Sequence, residues 1–344
     1  MNSRCVPPRG CRLSILSHYR WVVLCATLPA VLLCSGCPKD PQALIDDYPN
    51  KTATVICPWS AGGGTDRCAR FWAEQLQSKF DNPFVVMNRT GGSGAIGHST
   101  VSRAKADGYT LGMLTVELSM MKQMGISDLT YRDYQCLMQI NADSAAVVVR
   151  KDAPWNNIKE FLADVKSSDE KLKMSGTASG GIWDLARVGM LNAAGIEHDL
   201  VTWVPSKGSA PALVQLMGGH IDAVVVSVPE AMPQIQAGEL RLLTVMDEQR
   251  HPDFPDIPTL KEEGYDWSAV GWRGLAVPKE TPPEIVQKLL SECETIADSD
   301  EFKEFMNKNG FAIVVRGPDE FTKFLDEQET LWTPVIELAG YAKQ

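Results

Sequence analysis

The residues best suited to chemistry form one run, Pro58-Trp59-Ser60-Ala61-Gly62-Gly63-Gly64-Thr65-Asp66. Glycines let main-chain N–H groups approach a ligand with no Cβ in the way, and the first N–H groups of a helix have no intrahelical partner. The helix dipole adds partial positive charge at the same point. The chemistry this suits is anion binding by backbone donors. The plainer alternative is a tight turn in which Thr65 or Asp66 caps the helix. A second loop of the same kind, Ser175-Gly176-Thr177-Ala178-Ser179-Gly180-Gly181, follows about 110 residues later. A third, Ser206-Lys207-Gly208-Ser209-Ala210-Pro211, places a proline where a first helical turn accepts one.

The elements around these loops are strands and helices in alternation. Apolar runs predict strands at 53–57, 84–88, 110–115, 145–150, 172–175, 201–204, 223–227, 240–245 and 274–277. Helical spacing predicts helices at 66–79, 94–105, 158–166, 184–193, 210–217, 229–237, 283–297, 300–308 and 318–338. Such alternation implies mostly parallel sheets with helices on both faces, and ligands at the carboxyl ends of strands. Trp59, Glu117 and Ser227 then stand at or just beyond strand ends. Trp59 would wall the cleft, and Glu117 would accept a hydrogen bond or meet a cation. Lys207 would meet a ligand carboxylate. Asp222 reads as a structural residue capping a neighbouring turn, and Asp184 as a cap or first-turn acid.

Gly92-Ser93-Gly94-Ala95-Ile96-Gly97 matches GxGxxG and opens a helix, with Glu117 twenty residues beyond Gly97. This imitates a dinucleotide fingerprint, so an NAD-dependent oxidoreductase is the alternative function. Arg89-Thr90-Gly91 lengthens the turn before the first required glycine. No GxxxxGK[ST], GxSxG or HExxH occurs, and no nucleophile and base stand at motif spacing. We expect no catalytic residue, no metal and no cofactor.

Residues 1–36 contain Arg4, Arg9, Arg12 and Arg20 and no acid, and Trp21–Leu33 is an apolar run of export-signal length. Leu33-Cys34-Ser35-Gly36-Cys37 resembles a bacterial lipobox, which implies cleavage before Cys37 and lipid on its thiol. A periplasmic or extracytoplasmic location with a membrane anchor is expected, with residues 37–51 as a tether. The whole chain carries 33 basic and 43 acidic residues; without residues 1–36 the basic count is 29. An acidic balance of that size excludes nucleic acid and a polybasic membrane patch as partners. It does not exclude an anionic ligand bound by backbone donors. The remaining cysteines, Cys57, Cys68, Cys136 and Cys293, show neither zinc spacing nor a disulfide framework.

From Thr52 to Val286 the sequence resembles the substrate-binding proteins of tripartite tricarboxylate transporters, the TctC or Bug family. The resemblance rests on the first loop, Asn88-Arg89-Thr90-Gly91-Gly92, Ala106-Asp107-Gly108-Tyr109-Thr110-Leu111, Ser175–Gly181, Lys207–Ala212, Gly218-Gly219-His220-Ile221-Asp222 and Pro255-Asp256-Ile257-Pro258-Thr259-Leu260. It implies an α/β fold of the two-lobed periplasmic-binding-protein type (a type II Venus flytrap), each lobe a mostly parallel sheet flanked by helices. Residues 52–147 with 249–344 would form one lobe and 148–248 the other, crossing near 147–151 and 274–277. The implied function is capture of a small organic carboxylate by a monomer that delivers it to membrane subunits, or reports it to a signalling partner. The implied carboxylate ligands are main-chain groups of Trp59, Ser60, Ala61, Gly62, Gly63, Gly64, Thr65 and Asp66, and of Ser175, Gly176, Thr177, Ser179, Gly180 and Gly181. Four departures bear on the ligand. They are Trp59-Ser60-Ala61, Ile182-Trp183-Asp184, Ser206 and Glu117, where small or amide residues are usual.

Overall fold

The computed structural model describes residues 47–343. The expected export segment, Cys37 and the tether up to residue 46 lie outside the described residues. Ten strands form one sheet, in the order β2-β1-β3-β9-β4-β7-β5-β6, with β8 and β10 also paired to β4. The two wings of this sheet carry the glycine loops, and each wing is parallel.

In the first wing, β1 (Ala53–Cys57) lies between β2 (Phe84–Asn88) and β3 (Thr110–Thr115), parallel to both. Its ATVIC sequence is almost wholly buried because α1 (Gly64–Phe80) and α2 (Ala95–Ser102) accompany it. Helix α1 turns Cys68, Ala69, Phe71, Trp72 and Leu76 inward, the helical spacing of an apolar stripe. Trp72 is fully buried and meets Phe302 at 5.7 Å between ring centres. In the second wing, β5 (Lys173–Ser175) is parallel to β6 (Thr202–Val204) and β7 (Ala223–Ser227). Asp222 receives the Lys173 N–H at 2.7 Å and so fixes the start of that pairing, a structural role.

The wings meet at an antiparallel waist. Strand β4 (Tyr134–Arg150) pairs with β9 (Val270–Pro278) up to Ser144, and from Ala145 it pairs with β7 and β8 (Leu240–Val245). The chain returns beside that point. Met246 N–H donates to the Ala145 carbonyl at 2.7 Å, and Ala145 N–H donates to the Ala269 carbonyl at 2.8 Å. Of the segments expected near the crossings, 147–151 and 274–277, residues 147–150 and 274–277 are paired inside the sheet.

The first half of β4 was not visible as a strand because its inward residues include Gln139, Asn141 and Asp143, all buried. Strand β10 (Ile313–Arg316) is a half-exposed edge, antiparallel to β4. Helices α3 (Ile158–Ser167), α4 (Ile182–Ala193), α5 (Ser209–Met217) and α6 (Val228–Gln236) serve the second wing. Helices α7 (Pro283–Asp298) and α8 (Asp300–Lys308) back the first. The single helix expected over 318–338 is two, α9 (Pro318–Leu331) and α10 (Thr333–Leu338). Pro334 has no N–H to continue the hydrogen-bond ladder, so a new helix starts there. Helix α10 packs on α4 rather than on the first wing. No described helix is long and apolar enough to cross a membrane. The four described cysteines are free thiols.

Candidate functional site: a cleft between two glycine loops

The first loop bridges β1 and α1. Gly62 has φ +83°, a conformation glycine takes without strain. Gly63 is the N-cap, with φ −75° and ψ 172°. Thr65 and Asp66 are therefore the second and third helical residues, not caps. Asp66 instead braces the loop. Its Oδ2 accepts from Gly62 N–H at 2.9 Å and from Arg70 Nε at 2.9 Å, and its Oδ1 accepts from Asn88 Nδ2 at 2.9 Å. Burial opposes ionisation of Asp66, but hydrogen bonds from Arg70, Gly62 and Asn88 outweigh it and hold the carboxyl below its usual range. The N–H groups of Gly64 and Thr65 have no partner among the described residues.

The second loop bridges β5 and α4 with the same geometry. Gly180 has φ +70°, and Gly181 is the N-cap with φ −73° and ψ 168°. Asp184, the third helical residue, accepts from Gly180 N–H at 3.0 Å and from Tyr341 Oη at 2.7 Å. It pairs with buried Arg187 at 2.8 Å. Ile182 N–H is taken: it donates to Glu117 Oε1 at 3.2 Å. Glu117 belongs to the first wing, in a short turn after β3, so this bond crosses the cleft.

Glu117 is 2% exposed. Its Oε2 accepts from Thr115 Oγ1 at 2.6 Å. That hydroxyl has spent its one proton, so it accepts from Trp59 Nε1 at 3.3 Å and from His98 Nε2 at 3.3 Å. Burial drops His98 to about 3, so its ring is neutral. Burial pushes the Glu117 carboxyl above its usual range, with the Thr115 and Ile182 hydrogen bonds opposing.

Opposite stands Arg273 of β9, 4% exposed. Its Nε donates to Thr65 Oγ1 at 3.0 Å, its Nη1 to Asp143 Oδ2 at 2.6 Å, and its Nη2 to Glu230 Oε1 at 3.4 Å. Burial alone would loosen the guanidinium's proton, but the Asp143 carboxylate beside it more than compensates and Arg273 stays charged. Glu230 is the third residue of α6. It accepts from Ser227 N–H at 3.1 Å and from Ser209 Oγ at 2.9 Å. Gly64 makes room for these groups: a Cβ there would lie 2.7 Å from Arg273 Nη2 and 2.9 Å from Glu230 Cγ.

These groups enclose a cavity lined by Trp59, Gly63, Gly64, Thr65, Glu117 and Thr177, together with Thr115, Ile182, Trp183, Gly208, Ser209, Glu230, Trp272 and Arg273. About 30 Å³ is open to the centre of a water molecule. Thr177 Oγ1 and Trp272 Nε1 are buried with no partner among the described residues. The other expected residues stand behind this wall. Ser60 N–H donates to the Lys207 carbonyl at 3.2 Å, joining the first and third loops, while the Ala61 and Lys207 side chains face solvent. Ser175 Oγ donates to Val204 O at 2.6 Å, and Gly176 packs against β7. Ser93 Oγ donates to Ser179 O at 2.9 Å. Ser227 ends β7 behind Glu230.

Arg273, Glu230 and Asp143 were not among the residues expected from sequence. Two signals point to them: a lone arginine within the apolar run 270–278, and Ser227-Val228-Pro229-Glu230, which has capping-box spacing. In the GxGxxG segment, Gly97 is where α2 touches the end of β1, since a Cβ there would lie 2.5 Å from Pro58 Cα. Among the described residues no group of three or more His, Cys, Asp or Glu is placed to hold a metal ion.

Comparison with known proteins agrees with this architecture. Residues 68–341 match the family described as "Tripartite tricarboxylate transporter family receptor". Protein BugT of Bordetella pertussis is 30% identical over 308 residues, covering 86% of this chain and 91% of the relative. The solved structure of the periplasmic binding protein BugD superposes with a TM-score of 0.81 at 28% identity, over 86% of this chain and all of that one. An R. palustris protein solved with adipate gives 0.81 at 27% identity, over 86% of this chain and 99% of that one. The fold is thus the two-lobed periplasmic-binding-protein type, and this chain belongs to the tripartite tricarboxylate transporter receptor family.

Proposed function

We propose that this chain is an extracytoplasmic solute-binding protein that captures a small organic carboxylate between its two lobes and presents it to the membrane subunits of a tripartite transporter. The observation that carries this is the start of α1. Two unpartnered N–H groups, Gly64 and Thr65, line the cavity beside the charged Arg273. Helix N-termini of this kind favour a carboxylate. The family and the adipate complex of the R. palustris relative support the ligand class.

The cavity is too small for a ligand of several heavy atoms, so entry requires the lobes to part. The strand change at Ser144–Ala145 and the return at Met246–Ala269 are the two connections about which they would rotate. A bound carboxylate would favour the closed form by its differential affinity for it.

A thermal-shift screen of organic acids tests the reading. A ligand that binds the folded state raises the melting temperature by mass action. Clear shifts with sugars or nucleotides and none with carboxylates would overturn it. We further propose that lipid on Cys37 anchors a monomer at the membrane. Cys37→Ser should release the protein into the soluble fraction or block removal of residues 1–36; unchanged processing together with unchanged membrane association would overturn the anchor.

A further inference from the structure

We propose that the chain carries a second small-molecule site, outside the cleft between the glycine loops, that takes a small aromatic monoanion of the benzoate type. The site is a cavity of about 410 Å³ between the waist of the sheet and the junction of α9 with α10. That size lies within the range of about 300–1,000 Å³ usual for ligand pockets. The inference goes beyond carboxylate capture in the cleft and does not rest on it.

Local spacing builds the walls. Phe324, Gln328 and Leu331 are four and three residues apart, so they share one face of α9, beside the core residues Phe321 and Leu325. Val270 and Trp272 are two apart on β9, and Val314 and Arg316 are two apart on β10, so each pair projects from one face of its strand. Trp332 stands where α9 gives way to α10, and Trp272 also lines the cleft. The rings of Trp272 and Phe324 meet edge to face with centres 5.9 Å apart, an arrangement that an aromatic guest can extend.

The polar groups in these walls are donors without partners. Gln328 is 8% exposed, and its amide makes no hydrogen bond among the described residues. Nε1 of Trp272 and Nε1 of Trp332 are buried and equally unpartnered. Arg316 gives one N–H to Gln139 Oε1 at 2.7 Å and lies over the Phe324 ring at 4.6 Å, but it has no carboxylate partner among the described residues. Most of its N–H groups therefore remain to be answered. Buried polar groups are nearly always hydrogen-bonded, so unmet donors gathered in one cavity point to an acceptor from outside. No Asp or Glu lines the cavity, although acids outnumber bases 43 to 33 in the chain. A carboxylate on an aromatic ring answers the donors, the lone guanidinium and the ring walls together. An aromatic cation would meet Arg316 with like charge.

The test is titration calorimetry on the full chain with benzoate, neutral benzamide and cationic benzylamine, which share a ring and differ in charge. It is run in the Gly64→Ala background, so that the cleft is impaired while this cavity is untouched. We expect benzoate to bind there, and adding Arg316→Gln to weaken it by at least about tenfold, the scale of a lost charge-assisted hydrogen bond. Benzamide and benzylamine should bind at least about tenfold more weakly than benzoate. Absence of benzoate binding, benzoate binding that Arg316→Gln leaves unchanged, or benzylamine binding as tight as benzoate overturns the second site and leaves the cleft reading standing. Soaking 4-bromobenzoate into crystals of the unmodified chain needs no variant. Bromine anomalous density between Arg316 and Gln328 supports the site, and its absence there overturns it.

Discussion

The two glycine loops are copies of one device put to different uses. In each, a glycine at positive φ (Gly62, Gly180) precedes an extended glycine N-cap (Gly63, Gly181). In each, an aspartate in the third helical position (Asp66, Asp184) accepts the N–H four residues back, at 2.9 and 3.0 Å. In each, an arginine one turn on (Arg70, Arg187) pairs with that aspartate. The difference lies at the first helical residue. The first loop has Gly64, and Arg273 and Glu230 come within 3 Å of where its Cβ would be. The second has Ile182, whose N–H is closed by Glu117. The backbone alone makes an anion site twice: the first helical N–H is open at Gly64 and taken by Glu117 at Ile182, while the second, at Thr65 and at Trp183, has no partner among the described residues in either loop.

The braces also differ in burial, and this predicts the largest effect. Arg187 is 3% exposed at its side chain, whereas Arg70 is 55% exposed. Removing Asp184 leaves a buried guanidinium without a counter-charge, a change that costs about 3–5 kcal/mol. Removing Asp66 leaves Arg70 free to turn to water, so the loss is about 1–2 kcal/mol, mostly unpaired Gly62 and Asn88 donors. Urea unfolding of Asp184→Ala and Asp66→Ala should separate them in that order. Equal losses would mean that the loops are braced alike and that burial of the arginine does not matter.

Next in size is a change at the open end. Gly64→Ala puts a methyl 2.7 Å from Arg273 Nη2 and 2.9 Å from Glu230 Cγ, on the ligand's side of the helix start. Carboxylate affinity should fall by about 100-fold, roughly 2.7 kcal/mol. At the matching position in the second loop, Ile182→Ala opens a buried space and should lower stability by about 2–5 kcal/mol. Its effect on affinity should be under about threefold, because alanine keeps the N–H and its bond to Glu117. Titration calorimetry reads the first and urea unfolding the second. An Ile182→Ala variant that loses affinity as steeply as Gly64→Ala would show that the Ile182 side chain, which lines the cavity, holds ligand as well.

The parts of this comparison legible in the sequence were those carried by local chemistry. Glycine runs after apolar strands marked both loops, and apolar runs marked the parallel wings. What escaped was built over distance. Arg273 meets Asp143 across 130 residues and Glu230 across 43. Asp143, with Gln139 and Asn141, made the first half of β4 look polar when it is buried. Expected strand 274–277 began just after Arg273 because a charge interrupts an apolar run. Yet that charge is where the cleft's counter-ions converge. Lys207 looked apt for a carboxylate by type, but the fold uses its carbonyl to tie Ser60 and leaves its side chain in water.

The smallest effect sharpens the comparison through pH. The carboxyls at the two loops shift in opposite directions: Asp66 is held below its usual range and Glu117 is pushed above it. For Asp66 the unfolded chain binds the proton more readily. Its contribution is therefore present above the ordinary aspartate value and is lost as pH falls through the lower folded value. For Glu117 the folded protein binds the proton more readily. Its ionisation costs nothing below the ordinary glutamate value, near 4.3, and destabilises the fold progressively as pH rises through the raised folded value. Glu117→Gln removes that cost. Relative to the unmodified protein, the glutamine variant should therefore gain stability as pH rises from the ordinary glutamate value through the raised folded one. Asp66→Asn should lose it as pH rises toward the ordinary aspartate value, near 3.9, and differ by a constant amount above that. Urea unfolding at a series of pH values measures both difference curves. If the two curves bend the same way, the carboxylate at the second loop is ionised as freely as the one bracing the first, and Glu117 is an ordinary surface-like acid rather than a desolvated plug.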